Sequence, residues 1–165
     1  DFSLIYRPNG SRLTLMNRLR LMYEKSNTET SGLTKKLVNH SRANFIIDDR
    51  NQLSLSYGLK LLDQKFELVD SQSTTHFISS EYRHDINDKW DIGIRASGLY
   101  LDGTKYSSGL SLGYSFNANT WLSLGYNIVG FDDVDFNMLD NNHQGWVFNI
   151  RMKYDQDFLR LSKIR

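Results

Sequence analysis

Seven cations recur among small polar residues in this 165-residue chain: Arg18, Arg20, Arg42, Lys60, Arg95, Arg151 and Lys153. A row of fixed positive charge can favour anions along a passage, or grip a plug segment. The plainer expectation is pairing with Glu24, Asp48, Glu81 and Asp91, because charge removed from water is usually paired.

A second group is acidic. Asp132, Asp133, Asp135 and Asp140 crowd one stretch, and oxygen-rich loops can hold calcium. The spacing does not match an EF-hand loop, so a solvated acidic loop is expected and no metal. Four histidines, His40, His76, His84 and His143, are scattered. His143 beside the acidic stretch is similar to the Asp and His rim of outer-membrane proteases, and His76 or His84 lies near serines. No serine-based or dyad motif accompanies them, and a hydrolase needs a placed nucleophile or an activated water. Gly109, Gly113 and Gly125, with Ser107, Ser111, Ser115 and Ser123, sit at alternate positions within runs. A phosphate loop would instead precede a helix, so these read as small residues filling a tight inner face. The expectation is a chain that is not an enzyme and needs no cofactor.

The elements carrying these residues are strands. Apolar and polar residues alternate with period two in about nine runs, the signature of one-sided strands. Phe2, Leu4 and Tyr6 oppose Ser3, Ile5 and Arg7. Leu13, Leu15, Leu19, Leu21 and Tyr23 oppose Arg18 and Arg20, and Leu37, Ala43, Phe45 and Ile47 oppose His40, Arg42, Asn44 and Asp48. The fourth run sets Leu53, Leu55, Tyr57, Leu59 and Leu61 against Ser54, Ser56, Gly58 and Lys60. The fifth, Thr74 to Ile86, is ambiguous, because His76, Ser80 and His84 share parity with Ile78 and Tyr82. Trp90, Ile92, Ile94 and Tyr100 oppose Asp91 and Arg95. Leu110, Leu112, Tyr114 and Phe116 oppose the Gly and Ser stripe. Leu122, Leu124, Tyr126 and Ile128 follow, then Trp146, Phe148, Ile150, Met152 and Tyr154 against Asn149, Arg151 and Lys153.

The runs are about 9–12 residues long, as a tilted strand crossing a bilayer needs. Soluble strands are more often about 5–6. Short turns are expected at Arg7–Arg12, Asp48–Asn51, Asn87–Lys89, Asp102–Lys105 and Asn117–Asn119, rich in Asn, Asp, Gly and Pro. Long polar loops are expected at Lys25–Lys36, Asp63–Ser73 and Asp132–His143. Apart from Asp102–Lys105, long and short connections alternate by side, as in barrels with short periplasmic turns and longer extracellular loops.

Bulk composition agrees. Mean hydropathy is −0.50, but barrel strands average to a polar score. Aromatic residues make up 13%, with one proline, no cysteine and a net charge of +1. A balanced charge gives no field for nucleic acid. The absence of cysteine excludes a disulfide framework. The chain opens at Asp1 without Met or a signal peptide, which suits a processed chain or a fragment.

Trp121-Leu-Ser-Leu-Gly-Tyr-Asn-Ile-Val-Gly-Phe131, Asp132-Asp-Val-Asp-Phe136 and Gln144-Gly-Trp-Val-Phe-Asn-Ile-Arg-Met-Lys-Tyr154 resemble the last hairpin of Gram-negative outer-membrane barrels. They are similar in particular to the C-terminal barrel of large repeat-containing surface proteins. Tyr6-Arg-Pro8 with Ser11-Arg-Leu-Thr-Leu15 resembles an earlier hairpin of such barrels. The alternation after Gly145 resembles the terminal-strand signal read by the barrel assembly machinery. It ends at Tyr154 or at Phe158, since Asp155 to Arg165 follow.

The fold expected is therefore an all-β, antiparallel up-and-down transmembrane β-barrel of about 8–10 strands. Residues 1–165 form one barrel domain, the C-terminal portion of a longer chain, or eight strands if the first run does not span. Leu55, Tyr57, Leu59, Leu110, Leu112, Tyr114, Leu124, Tyr126, Phe148 and Ile150 face lipid, and the seven cations face the lumen. The resemblance implies a membrane anchor, conduit or porin-like component in the bacterial outer membrane. Its partners would be outer-membrane lipid and lipopolysaccharide, the assembly machinery, and upstream surface modules or partner subunits. A soluble β-barrel binding an apolar ligand is the alternative from another class, and a barrel hydrolase is the third.

Overall fold

The computed structural model describes residues 1–26, 32–66, 69–117, 119–133, 135–136 and 142–152. Its architecture is one antiparallel sheet of nine strands in sequence order. They are β1 (Phe2–Tyr6), β2 (Leu13–Ser26), β3 (Gly32–Ile46), β4 (Asn51–Phe66), β5 (Val69–Asp85), β6 (Trp90–Tyr100), β7 (Thr104–Asn117), β8 (Thr120–Val129) and β9 (Gly145–Met152). The all-β up-and-down expectation is met to this extent. The sheet is open: among the described residues β1 and β9 are its two edges and do not pair.

Asparagine and aspartate side chains shape the short turns. Asp48 accepts from the backbone N–H of Arg50 at 2.9 Å, and Asn87 accepts from those of Lys89 and Trp90 at 2.9 and 3.0 Å. Asn117 accepts from that of Asn119 at 2.9 Å. Each side chain satisfies donors that the reversal takes out of the ladder. In the β1–β2 turn Gly10 takes φ +68°, a left-handed conformation that favours glycine.

Two of the three expected long loops are corrected. Ser26 pairs with Gly32, and Phe66 with Val69, so most of Lys25–Lys36 and Asp63–Ser73 is strand. Polar residues there break the apolar alternation, but the ladder bonds are made by backbone groups and continue regardless. β4 and β5 reach 16 and 17 residues as a result. Only the β8–β9 connection remains long.

The pleat gives the sheet two unlike faces. Register puts odd-numbered β2, β3 and β4 residues on one face with even-numbered β5 to β9 residues, as in Leu37↔Leu61↔Thr74. We call this the outer face. The opposite, inner face buries Thr75, Phe77, Ser79, Asp91, Ser97, Ser107, Ser123 and Asn127. The sheet curls toward the inner face. Trp121 of β8 bonds Asp91 of β6, and the Arg83 guanidinium of β5 lies 5.9 Å from the Trp121 ring. On a flat sheet β5 and β8 would lie about 14 Å apart, three strand spacings.

Candidate functional site on the inner face

The inner face carries all six described cations expected there, while Lys153 lies outside the described residues. Arg18 and Arg20 reach the Asp1 carboxylate at 3.0 and 3.1 Å near the β1 edge, where exposure leaves such pairs weak. Arg42 donates to Ser56 at 3.0 Å. Arg95 pairs with Glu81 at 3.3 Å, and Arg151 lies 5.0 Å from the Trp121 ring. Of the four expected carboxylate partners, Glu81 is placed so, Asp48 serves a turn, Asp91 accepts from the Trp121 indole N–H, and Glu24 lies exposed near the end of β2, opposite Thr34.

Lys60 is held differently. Its ammonium lies 2.6 Å from Asp133 and 3.4 Å from Asp135, both from the β8–β9 connection. Lys36, which the alternation left in a loop, binds Asp135 at 2.8 Å. The acidic stretch therefore folds in over the inner face at Asp133 and Asp135, contrary to the expectation of a solvated loop. Asp140 lies outside the described residues. Among the described residues no group of three or more His, Cys, Asp or Glu side chains could hold a metal.

An aromatic anchor accompanies the charges. Phe136 is fully buried and stacks on Phe77, with ring centroids 5.0 Å apart and planes 13° from parallel. Phe131 meets Phe77 edge-on at 6.4 Å, and the His40 ring lies 6.1 Å from Phe77. Val38 and Leu99 complete the apolar cluster. Gly58 makes the seat: it is paired with Phe77, and a Cβ added to it would run into the Phe136 ring. Polar bonds fix the loop further along. Ser97 donates to the Asn142 side-chain oxygen at 2.8 Å, and Asn127 donates to the His143 carbonyl at 2.8 Å. Asp133 turns the segment on itself by accepting from the Asp135 N–H at 3.0 Å.

Electrostatics fit the geometry. Burial acts against ionisation of Asp135, yet the hydrogen bond and charge of Lys36, with Lys60 behind it, hold its carboxyl below the ordinary aspartate range. Parity carried enough information to find part of this site. Lys36 shares parity with His40 and Arg42, and Phe77 is a lone aromatic among Thr75, Ser79 and Glu81. Nothing in the sequence placed Phe136 on Phe77.

The other candidates separate. His76 and His84 are on the outer face, where their ring nitrogens contact the Tyr57 hydroxyl at 2.9 Å and the Asn51 side-chain oxygen at 2.8 Å. Gly109, Gly113 and Gly125 lie within strands on the inner face, and Gly113 makes room for the Asp91 carboxylate. The ten apolar candidates, Leu55, Tyr57, Leu59, Leu110, Leu112, Tyr114, Leu124, Tyr126, Phe148 and Ile150, all occupy the outer face. Leu55, Leu112 and Phe148 are 44%, 47% and 63% exposed. Comparison of the chain with protein-family models, with curated proteins and with solved structures returns no match.

Proposed function

We propose that this sheet is part of a transmembrane β-barrel of the bacterial outer membrane, serving as membrane anchor, conduit or porin-like component of a cell-surface protein. One observation carries the reading: the amphipathicity is the reverse of a water-soluble sheet. More than twenty large apolar side chains project from the outer face while serines, asparagines and charges fill the inner one. Soluble monomers rarely expose apolar patches beyond a few hundred Å².

The outer face also has the right height. It carries no Asp, Glu, Lys or Arg from Leu13 to Tyr23, Leu37 to Phe45, Leu53 to Leu61, Trp90 to Tyr100 or Tyr106 to Phe116. Lys25, Lys35, Asp63 and Asp70 bound this band at one level, since Lys35 faces Asp63 across the ladder. Leu13 to Tyr23 spans about 33 Å of strand, and about 23 Å along the membrane normal at a tilt near 45°. That compares with an apolar band of about 25 Å in outer-membrane barrels. Tyr23, Trp90, Tyr100 and Tyr106 fall near strand ends, suited to an aromatic girdle.

Nine consecutive antiparallel strands leave β1 and β9 running in the same direction. Closing an all-antiparallel ring around lipid-facing backbone takes an odd number of further strands. Such strands would come from more of the same chain or from partner subunits. Lipid, lipopolysaccharide and the barrel assembly machinery are the partners this reading entails. A soluble barrel binding an apolar ligand would place its apolar face inside, whereas the buried apolar cluster here is Val38, Phe77, Leu99, Phe131 and Phe136.

Refolding from urea tests the proposal. With phospholipid vesicles, the chain should gain a β circular-dichroism spectrum and a heat-sensitive gel mobility. A monomer that folds to the same spectrum in buffer without amphiphile overturns it.

A further inference from the structure

A polar patch interrupts the apolar outer face near the middle of its height. Asn17 lies midway along Leu13 to Tyr23, and Ser41 faces it across the ladder, midway along Leu37 to Phe45. Asn39 is the next outer residue of β3. The Asn17 amide donates to Asn39 Oδ1 at 3.3 Å and to Ser41 Oγ at 2.8 Å. Asn39 donates back to Asn17 Oδ1 at 3.4 Å, and Ser41 donates to Asn39 Oδ1 at 3.5 Å. A carboxamide has two N–H donors and an oxygen with two lone pairs. These bonds use both Asn17 donors and both Asn39 lone pairs. One Asn39 N–H and one lone pair on the Asn17 oxygen are left over among the described residues. Tyr57 and His76, close by on the same face, satisfy each other at 2.9 Å.

We propose that this patch is the contact between two copies of the chain lying side by side in the membrane, related by a two-fold axis along the membrane normal. The proposal rests on the barrel reading. Hydrocarbon offers nothing to the leftover donor and acceptor, whereas a second copy offers both. In a two-fold contact residue i meets j and j meets i, so Asn39 of each copy donates to Asn17 of the other. An axis along the normal also keeps every residue at its own depth, so mid-depth amides meet mid-depth amides. The shape agrees. Asn17, Ser41 and Ala43 floor a hollow of about 580 Å³ between Leu15, Leu55 and Tyr57. Short side chains let two walls approach closely, as they do between membrane helices. A lipid acyl chain would fill the hollow and leave the polar pair unmet.

The native chain has no cysteine, so Asp102→Cys in the exposed β6–β7 turn carries a single fluorophore. Donor- and acceptor-labelled chains are mixed in phospholipid vesicles, and insertion is checked by heat-sensitive gel mobility. Energy transfer should follow a two-body association curve as the protein-to-lipid ratio rises. Asn17→Leu combined with Asn39→Leu should weaken that association at least tenfold. Leucine suits a lipid-facing position, so this variant should insert at least as well as the native chain, and lost transfer is then not lost folding. Leu112→Ala, on the distant part of the outer face, should leave the association within about twofold. Equal association of the native and doubly substituted chains overturns the proposal.

Crosslinking locates the contact. Leu19 lies across the ladder from Asn39 and follows Asn17 on the outer face of β2. Under mild oxidation in vesicles, Leu19→Cys should form a disulfide-linked dimer at least tenfold faster than Leu112→Cys. Equal rates would mark random collision and overturn the contact. An inserted chain that stays monomeric at every protein-to-lipid ratio overturns the pairing, assigns the hollow to lipid, and leaves the barrel reading standing. A chain that never enters vesicles sinks both.

Discussion

Replacing Leu110 by Arg separates hydrocarbon from water as the surroundings of the outer face. Leu110 lies near the middle of β7, between Ile94 of β6 and Tyr126 of β8, and is 51% exposed. An Arg on the lipid side of a barrel at mid-depth costs about 2–4 kcal/mol. At about 1.4 kcal/mol per factor of ten, the folding equilibrium should fall roughly 30- to several-hundred-fold. In water the same change at a half-exposed position should stay within about 0.5 kcal/mol. Gln72→Arg is the control. It lies on the same face at the charged level and faces Asp63, so the cost should be about 0–1 kcal/mol. Urea titrations of both variants in phospholipid vesicles, followed by tryptophan fluorescence, give the two differences. If Leu110→Arg costs no more than Gln72→Arg, the outer face is not in hydrocarbon and the reasoning fails.

Phe136→Ala should cost about 3–5 kcal/mol in the same titration, as expected for a buried aromatic whose seat cannot collapse; a cost below 1 kcal/mol would show that the stack on Phe77 does not form. Gly113→Ala should destabilise by about 1–3 kcal/mol, because the added methyl meets the Asp91 carboxylate, and Asp91→Ala in the same chain should relieve part of that cost. Asp135 has its carboxyl lowered in the folded state, so the stability it contributes is complete above the unfolded aspartate pKa. That stability is lost as pH falls through the lower folded value. Carbon-13 titration of labelled aspartates should find it below the ordinary range in the native chain and shifted upward in Lys36→Met, and an unchanged value in that variant contradicts the Lys36–Asp135 pairing.

Much of the fold was legible because the side-chain period of a strand is two and most runs keep one parity free of charge. Run after run, from Leu53–Leu61 to Trp146–Met152, the residues of one parity lie together on one face of the sheet. It failed where the apolar signal stops before the backbone pairing does. Lys35, Lys36, Gln64 and Ser71 read as loop, yet they lie in β3, β4 and β5, because polar side chains do not interrupt a ladder. The fifth run was ambiguous for a related reason. Its outer face carries His76, Ser80 and His84 beside Ile78 and Tyr82, and the two histidines are satisfied by Tyr57 and Asn51 on the neighbouring strand. The inner site was only half legible. Lysines and aspartates are visible as types, but their meeting depends on a connection folding back across several strands. No local pattern encodes that contact. Gly58 opposite Phe77 is its one trace, and it becomes meaningful only once the register is known.

The most direct test is a nitroxide scan along β4 in vesicle-inserted protein, one cysteine at a time from Leu53 to Tyr57. Collision with oxygen, which concentrates in hydrocarbon, and with a water-soluble nickel chelate distinguishes the two environments. The account predicts high oxygen and low nickel accessibility at Leu53, Leu55 and Tyr57, with the opposite order or mutual shielding at Ser54 and Ser56. A profile without that two-residue period, or nickel reaching Leu55 as readily as oxygen does, would contradict it.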